Sequence, residues 1–106
     1  MNPVSKKKLV ENISEIYKAL GNPNRLRIYN HLLCSKRGEN VSSMEKDLGI
    51  KQSHLSQSLN ILNHSGLVNR EREGSKVNYS INQEFFSDFN DFNKTFLRKQ
   101  GVTSVI

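Results

Sequence analysis

The sequence predicts a mainly α-helical fold with one small β-hairpin, in the order of four helices, two strands and a final helix. Large apolar residues recur every three or four positions over most of the chain, which is the period of a helix packed on one side. Between Val68 and Ile81 apolar and polar residues alternate instead, which favours strands. A chain of 106 residues can bury one hydrophobic core, so we expect a single domain over residues 1–106.

The first two helices are predicted from apolar spacing and from residues that begin helices. A helix over about residues 5–20 carries one apolar stripe, which consists of Leu9, Ile13, Ile16, Tyr17 and Leu20. Asn22 followed by Pro23 is typical of an N-cap and a first helical position, so the second helix begins there. We expect it to end near Cys34 and to bury Leu26, Tyr29, Leu32 and Leu33. The polar stretch 36–40 then forms a turn.

Two shorter helices joined by a tight turn are predicted in the middle of the chain. Ser42 and Glu45 have the spacing of a capping box, which places a helix start at about residue 43. Gly49 stops that helix, and we expect Ile50 to fill the space between it and the next helix. The next helix covers about residues 52–63 and buries Leu55, Leu59 and Leu62. This order is that of a helix-turn-helix.

A hairpin and a last helix complete the predicted fold. Gly66 is suited to a left-handed C-terminal cap of the preceding helix. The strands that follow turn at Gly74 and Ser75, and their alternating residues are Val68, Arg70 and Arg72, then Val77, Tyr79 and Ile81. The last helix, over about residues 83–99, contains all five phenylalanines of the chain, four of which lie on one stripe: Phe85, Phe89, Phe92 and Phe96.

The charge of the chain favours a polyanionic partner. Sixteen Lys and Arg residues against ten Asp and Glu residues give a formal charge of +6 and a pI near 9.7. No carboxylate occurs between Asp47 and Glu71, so a surface formed by that segment would not repel phosphate groups. The sequence has no apolar run of about 18 residues, and Cys34 is the only cysteine. We therefore expect a cytoplasmic protein without a membrane segment or an internal disulfide.

Two sets of polar residues are candidate contacts to DNA. The early face of the 52–63 helix presents side chains suited to base edges and phosphates: Gln52, Ser53, His54, Ser56 and Gln57. The hairpin offers further polar and cationic groups: Arg70, Arg72, Ser75 and Lys76. Either set alone is equally expected of a solvated surface. A hairpin that directly follows such a helix, however, is the arrangement of a DNA-binding wing.

Several blocks of the sequence resemble the ArsR/SmtB family of winged helix-turn-helix transcriptional repressors. They are KALGNPNRLRI at residues 18–28, LGIKQSHLSQSL at 48–59, and SGLV, REG and VNYSI at 65–68, 72–74 and 77–81. The resemblance implies a winged helix-turn-helix fold, a homodimer, and sequence-specific binding to double-stranded DNA at an inverted-repeat operator. Repression would occur by competition with polymerase, and release would require an inducing signal that the sequence does not identify.

The chain departs from the family at its recognition helix and at the family's sensing sites. Lys51 replaces the usual capping serine, which removes a cap and adds a cation to the candidate DNA contacts. The positions of the paired cysteines in the thiol-type metal sensors align with Asn40 and Ser42. The last helix offers Asp88 and Asp91 but no histidine. We therefore expect no metal site and no cofactor.

The remaining histidines and the cysteine have ordinary explanations. His31 and Cys34 lie three residues apart on one helical face and could form a pair. A partly exposed histidine beside a small buried thiol is the commoner arrangement, and it is the one expected here. His64 lies at the predicted C-terminus of a helix, where the helix dipole favours a positive charge.

The phenylalanine helix has two predicted roles, packing on the first helix of the same chain and contact with a second copy. Both roles can hold, because different faces of the helix can serve them. The family resemblance implies that the first and last helices pair across a two-fold axis. The predicted interface consists of Leu9, Ile13, Phe85, Phe89, Phe92 and Phe96.

The alternative function is a winged-helix module that binds protein instead of DNA. That function gives no reason for the absence of carboxylates from residues 48–70. An enzyme is not expected, because the sequence shows no Ser/His/Asp constellation, no phosphate-binding glycine loop and no recognisable pair of catalytic carboxylates.

Overall fold

The computed structural model describes residues 3–99, with side chains for residue 8 and residues 10–94. The described part agrees with the predicted order of helices and hairpin and adds one short strand. Its elements are α1 (Pro3–Leu20), α2 (Pro23–Leu33), β1 (Glu39–Asn40), α3 (Val41–Leu48), α4 (Gln52–His64), β2 (Val68–Glu73), β3 (Lys76–Ile81) and α5 (Gln83–Lys99). None of the helices within residues 3–99 combines the length and apolar composition that a membrane span requires.

The added strand, β1, lies where the sequence predicted only a turn. β1 runs antiparallel to β3, with Glu39 opposite Tyr79, and the sheet has the strand order β1-β3-β2. Gly38 allows this close approach: its φ is +80°, and a Cβ there would lie 2.5 Å from the Tyr79 carbonyl oxygen. The prediction of a turn over residues 36–40 was wrong for Glu39 and Asn40, which form β1. Their partner strand β3 lies far along the chain and could not be recognised from the local sequence.

The N-terminus of α3 is capped by a residue other than the predicted one. Asn40 is the N-cap, and its side-chain oxygen accepts a hydrogen bond from the Ser43 backbone N–H at 2.9 Å. The helix therefore begins at Val41, and the predicted capping box of Ser42 and Glu45 was wrong. Asparagine caps a helix at least as well as serine does, and pairing of β1 holds it in the extended conformation that a cap needs.

The hydrophobic core lies where the first four helices meet the sheet. Its fully buried side chains are Ile16, Ile28, Leu32, Met44, Leu55, Leu59, Leu62, Leu67 and Val68. The three leucines predicted to anchor α4 are among them. In α2 the prediction was half right: Tyr29 and Leu32 are buried, whereas Leu26 and Leu33 are exposed. α2 carries two overlapping stripes at helical spacing, and packing buries the one that contains Ile28.

The turn between α3 and α4 has the predicted construction. Gly49 adopts a left-handed conformation with φ of +67° and ends α3. Ile50 is only 7% exposed and belongs to the core, as predicted. Arg27 fixes the turn from outside, since its Nη2 donates a hydrogen bond to the Leu48 carbonyl oxygen at 2.9 Å. Lys51 precedes α4 without a side-chain capping bond, in line with its expected loss of a cap.

Candidate nucleic-acid interface

Helix α4 is anchored by one face and presents the other to solvent. Its leucines Leu55, Leu59 and Leu62 are fully buried, so the helix is held firmly against the core. Most of the predicted DNA contacts at its start are exposed, and Ser56 is half-buried; the exposed ones are Lys51, Gln52, Ser53, His54 and Gln57. The helical period thus separates an apolar anchor from a polar face.

The hairpin extends beside this polar face. Beyond Val68, every residue of β2 is exposed, whereas β3 buries Tyr79 and Ile81 against the core. Arg70 lies opposite Tyr79 in the strand register, and its Nε donates a hydrogen bond to the Tyr79 hydroxyl at 3.3 Å. A buried tyrosine therefore orients the stem of an exposed cation. The predicted turn residue Ser75 and its neighbour Lys76 are exposed at the tip.

A groove of about 710 Å³ lies between α3, α4 and the hairpin. It brings together five of the predicted DNA contacts from both sets: Gln52, Ser56, Arg70, Ser75 and Lys76. The other predicted contacts lie outside its lining, although they are exposed: Lys51, Ser53, His54, Gln57 and Arg72. The two sets are separate in the sequence, and the fold joins them around one groove. We call this surface the polar groove.

The polar groove also contains residues that the sequence analysis did not select. Asn60 lines it together with Gln52 and Ser56, since positions four apart share one face of a helix. That spacing was visible in the sequence and could have indicated Asn60. The groove is further lined by residues from the start and middle of α3 and from β3: Asn40, Val41, Ser42, Ser43, Lys46, Val77 and Tyr79. Their placement depends on β1 and could not be read from local spacing.

The charge of the polar groove is positive. Three cations line it, namely Lys46, Arg70 and Lys76, and no carboxylate occurs among its described lining residues. Side-chain amides and hydroxyls supply the remaining polar groups. Cations and neutral donors around an open groove can hold a phosphate backbone, and the amides can pair with base edges.

The side chains considered for metal binding are arranged differently from the expectation. Cys34 is exposed, so the prediction of a buried thiol was wrong. His31 is partly exposed, as expected, but its imidazole turns to Glu39 and Asp47. His64 ends α4, as predicted, and its Nδ1 donates a hydrogen bond to the Asn60 carbonyl oxygen at 2.8 Å.

Helices α1 and α5 form a second notable surface, rich in aromatic rings. The side chains of Phe85, Phe86, Phe89 and Phe92 pack on the core and remain partly exposed. Tyr17 belongs to the predicted apolar stripe of α1 but is 53% exposed. Its ring meets that of Phe89 edge to face at 5.4 Å, and its hydroxyl donates a hydrogen bond to Asn93 Oδ1 at 2.7 Å. These contacts hold the tyrosine at the surface. We call Tyr17 and the four phenylalanines the aromatic surface.

The predicted dimer residues divide into three groups. Phe85, Phe89 and Phe92 belong to the aromatic surface. Ile13 was predicted at the dimer interface, but it is only 5% exposed in the single chain and belongs to the core. The side chains of Leu9 and Phe96 lie outside those that the structure describes.

A helix-turn-helix followed directly by a β-hairpin, with a long helix on either side, defines a winged helix-turn-helix protein. The family of bacterial regulatory proteins described as the arsR family matches residues 22–70. The chain belongs to the ArsR family. Since this is a family of regulatory proteins, the prediction that the chain is not an enzyme is confirmed.

Three relatives with solved structures show how far the likeness extends. An HTH-type transcriptional regulator of Mycobacterium tuberculosis, Rv0081, is 40% identical over 70 residues, which are 64% of this chain and 59% of that protein. The chain thus matches less than two thirds of that curated relative. In the structure comparison with Rv0081, the identity is 29%, the TM-score is 0.63 and coverage is 93% of each chain.

The other two solved relatives carry informative descriptions. The transcriptional repressor PagR of Bacillus anthracis is 33% identical, with a TM-score of 0.62, over 69% of this chain and 82% of that chain. The homodimeric winged helix-turn-helix DNA-binding domain Mb0332 of Mycobacterium bovis is 25% identical, with a TM-score of 0.69, over 90% of this chain and 87% of that chain. Both share the winged helix-turn-helix architecture.

Proposed function

We propose that the chain is a homodimeric transcriptional repressor that binds double-stranded DNA in the cytoplasm. The observation that carries this proposal is the polar groove, where Gln52, Ser56 and Asn60 of α4 face Arg70 and Lys76 of the hairpin. Amides on a helix suit base edges in a major groove, while cations on a wing suit the adjacent phosphates. The helix therefore reads sequence, and the hairpin positions it.

The anchoring of α4 supports base reading as well as general affinity. Three buried leucines hold the helix, so its exposed amides have a fixed position relative to the hairpin. A fixed position matters because base-edge hydrogen bonds depend on short distances and defined angles. Of the predicted contacts on α4, Ser56 is the half-buried one, so its hydroxyl position is the most restricted.

The aromatic surface supports the homodimer. Four phenylalanines are only partly covered within the single chain, and Val10 and Tyr17 of α1 are 49% and 53% exposed. A second copy packed across a two-fold axis would cover this area. Two copies of α4 would then enter successive major grooves about 34 Å apart, which fits an inverted repeat. PagR is a transcriptional repressor and the Mb0332 domain is homodimeric, in agreement with this proposal.

The test starts from a pool of random DNA duplexes, from which the protein selects the sequence that it prefers. Fluorescence anisotropy then measures the affinity for the selected duplex and for an unrelated duplex at several salt concentrations. The double variant Arg70→Ala, Lys76→Ala should bind both duplexes more weakly. It should also lower the slope of log K against log salt by about 2, one for each phosphate that the variant no longer neutralises.

A control is Lys94→Ala, which removes one exposed positive charge from α5, outside the polar groove, and is matched in charge to the single variant Lys76→Ala. We expect this variant to retain the salt dependence of the wild type. Wild-type protein that selects no duplex and binds without salt dependence would contradict DNA binding and favour the protein-interaction module. Equal effects of the groove variant and the Lys94 variant would contradict the assigned location.

A further inference from the structure

A histidine and two carboxylates from three different elements meet outside the lining of the polar groove. They are His31 of α2, Glu39 of β1 and Asp47 of α3. The His31 Nε2 contacts Glu39 Oε2 directly and lies 3.5 Å from Asp47 Oδ2. One ligand atom from each residue lies within 4.8 Å of the others. We infer that these three side chains bind a divalent transition-metal cation.

The distances in the cluster suit a small cation. Zinc is bound by imidazole nitrogen and carboxylate oxygen at about 2.0–2.2 Å, so two ligand atoms around a tetrahedral ion lie roughly 3.3–3.5 Å apart. The separation of 3.5 Å between His31 and Asp47 already matches this value. The closer contact between His31 and Glu39 opens by rotation of the two side chains.

An ion pair alone does not balance the charges of the cluster. A single imidazole nitrogen can donate one proton, yet two carboxylates converge on the same Nε2. Among the described residues, neither Glu39 nor Asp47 has a lysine or arginine within ion-pair distance. The side chain of Glu39 is only 16% exposed, so its charge is poorly screened by water. A divalent cation would neutralise both carboxylates and leave the imidazole neutral as a ligand.

The surroundings of the cluster are arranged as those of a metal site are. Ser43 donates its hydroxyl to Glu39 Oε1 at 2.8 Å, which leaves Oε2 directed at His31. Such a partner behind a ligand fixes its orientation. Asp47 is 49% exposed, so one side of the site is open to water as a fourth ligand.

The ligand set selects the class of cation. An imidazole with two carboxylates suits zinc, cobalt, manganese or iron(II), whereas calcium and magnesium prefer oxygen ligands throughout. Cys34 does not belong to the group, so a thiolate is not part of the site. This cluster differs from the expected pair of His31 and Cys34, and its occupation would overturn the prediction that the chain has no metal site.

Occupation of the site would stiffen one wall of the polar groove. The cation would join β1 to α2 and α3, while β1 already pairs with the wing strand β3. Asn40, the residue after Glu39, caps α3 and lines the groove. The inference goes beyond the proposed function, because cation binding does not depend on whether the chain binds DNA.

Isothermal titration of the full chain with zinc chloride tests the site. All variants are made in the Cys34→Ser protein, called the background here, because it lacks the thiol as a competing ligand. We expect one equivalent of zinc to bind with a low-micromolar or lower Kd. His31→Ala should lower the affinity at least about 100-fold, since loss of a supporting residue alone typically costs about 10–100-fold. Ser43→Ala, which removes only the support of Glu39, should fall within that range.

The matched control is His64→Ala, because His64 is an exposed histidine whose Nδ1 is bound to its own helix. It should bind zinc as the background does. Glu39→Gln and Asp47→Asn keep the side-chain shape, and circular dichroism verifies their fold. With cobalt, the background should give visible bands of nitrogen and oxygen ligation that are absent in His31→Ala. No stoichiometric binding by the background, or equal affinity in His31→Ala, would overturn the proposal.

Discussion

The polar groove and the aromatic surface are supported by the same core but expose opposite chemistry. In the groove, fully buried leucines anchor α4, and the lining from α4 and the hairpin is mainly polar and cationic. On the aromatic surface, phenylalanines that contact the core are themselves left partly uncovered. One region has completed its apolar packing within the chain, and the other has not. In the proposed function, the first region meets a charged partner and the second meets another apolar surface.

Mutations in the two regions should therefore have different effects. A substitution in the polar groove would remove an interaction with the proposed DNA partner, while the buried leucines of α4 would still anchor the fold. A substitution on the aromatic surface changes packing that is shared between the core and the proposed dimer. Effects on the aromatic surface should therefore be larger and should reach stability, assembly and DNA binding together.

The largest effect is expected for Phe89→Glu on the aromatic surface. Burying an unpaired carboxylate costs several kcal/mol, which is enough to separate a small dimer interface or to unfold the chain. Analytical ultracentrifugation should show monomer or unfolded protein, and affinity for the selected duplex should collapse. The control Asn90→Glu places the same charge on the next, exposed residue of α5 and should change neither property. Wild-type protein that sediments as a monomer at micromolar concentration would contradict the dimer.

A smaller and more selective effect is expected for Gln57→Ala and Ser56→Ala on α4. Each should lower the affinity for the selected duplex more than for an unrelated duplex, because a base contact contributes only where the base is correct. A paired contact from a glutamine to adenine gives about 1–3 kcal/mol of discrimination. Ser56 lines the polar groove, whereas Gln57 is exposed beside it. Equal reductions in affinity for both duplexes would show that these side chains do not read bases.

The smallest effect is expected for Tyr29→Phe in the core beneath both regions. The Tyr29 hydroxyl is buried and has no hydrogen-bond partner among the backbone and side-chain atoms that the structure describes. A buried hydroxyl without a partner costs about 1–3 kcal/mol, so its removal should raise the free energy of unfolding by about 1 kcal/mol. Urea unfolding followed by circular dichroism measures this value. A loss of stability would show that the hydroxyl has a partner.

Tyr29 should also make the stability of the protein depend on pH. Burial raises the pKa of its hydroxyl above the ordinary value of 10.0. The unfolded chain therefore releases this proton at a lower pH than the folded chain does. Titration of this group therefore leaves the free energy of unfolding unchanged below pH 10.0 and lowers it as the pH rises above that value. In Tyr29→Phe, the free energy of unfolding should fall less at alkaline pH than it does in the wild type.

The sequence predicts those features that depend on neighbouring residues. The helical stripe of α4, the end of α3 at Gly49 and the plug at Ile50 follow from spacing and from residue type, and all are present. The hairpin follows from alternation and a glycine turn, and it is present as well. Each predicted contact of the polar groove lies on one of these elements.

The features that the sequence analysis missed depend on residues far apart in the chain. β1 forms because Glu39 meets Tyr79, and no local pattern in two residues specifies that partner. The cap of α3 and the cluster around His31 follow from β1 and were missed with it. In α2 the choice between two apolar stripes is made by packing of other helices, and Leu26 lies on the stripe that stays exposed.

The central claim is that the polar groove, and not the aromatic surface, contacts DNA. Amide chemical shifts of the isotope-labelled protein, recorded with and without the selected duplex, test it most directly. We predict that the largest changes fall on residues 52–60 and on the hairpin tip around Ser75, while exposed positions of α5 such as Asn90 change little. Changes concentrated on α5, with α4 and the hairpin unaffected, would contradict the claim.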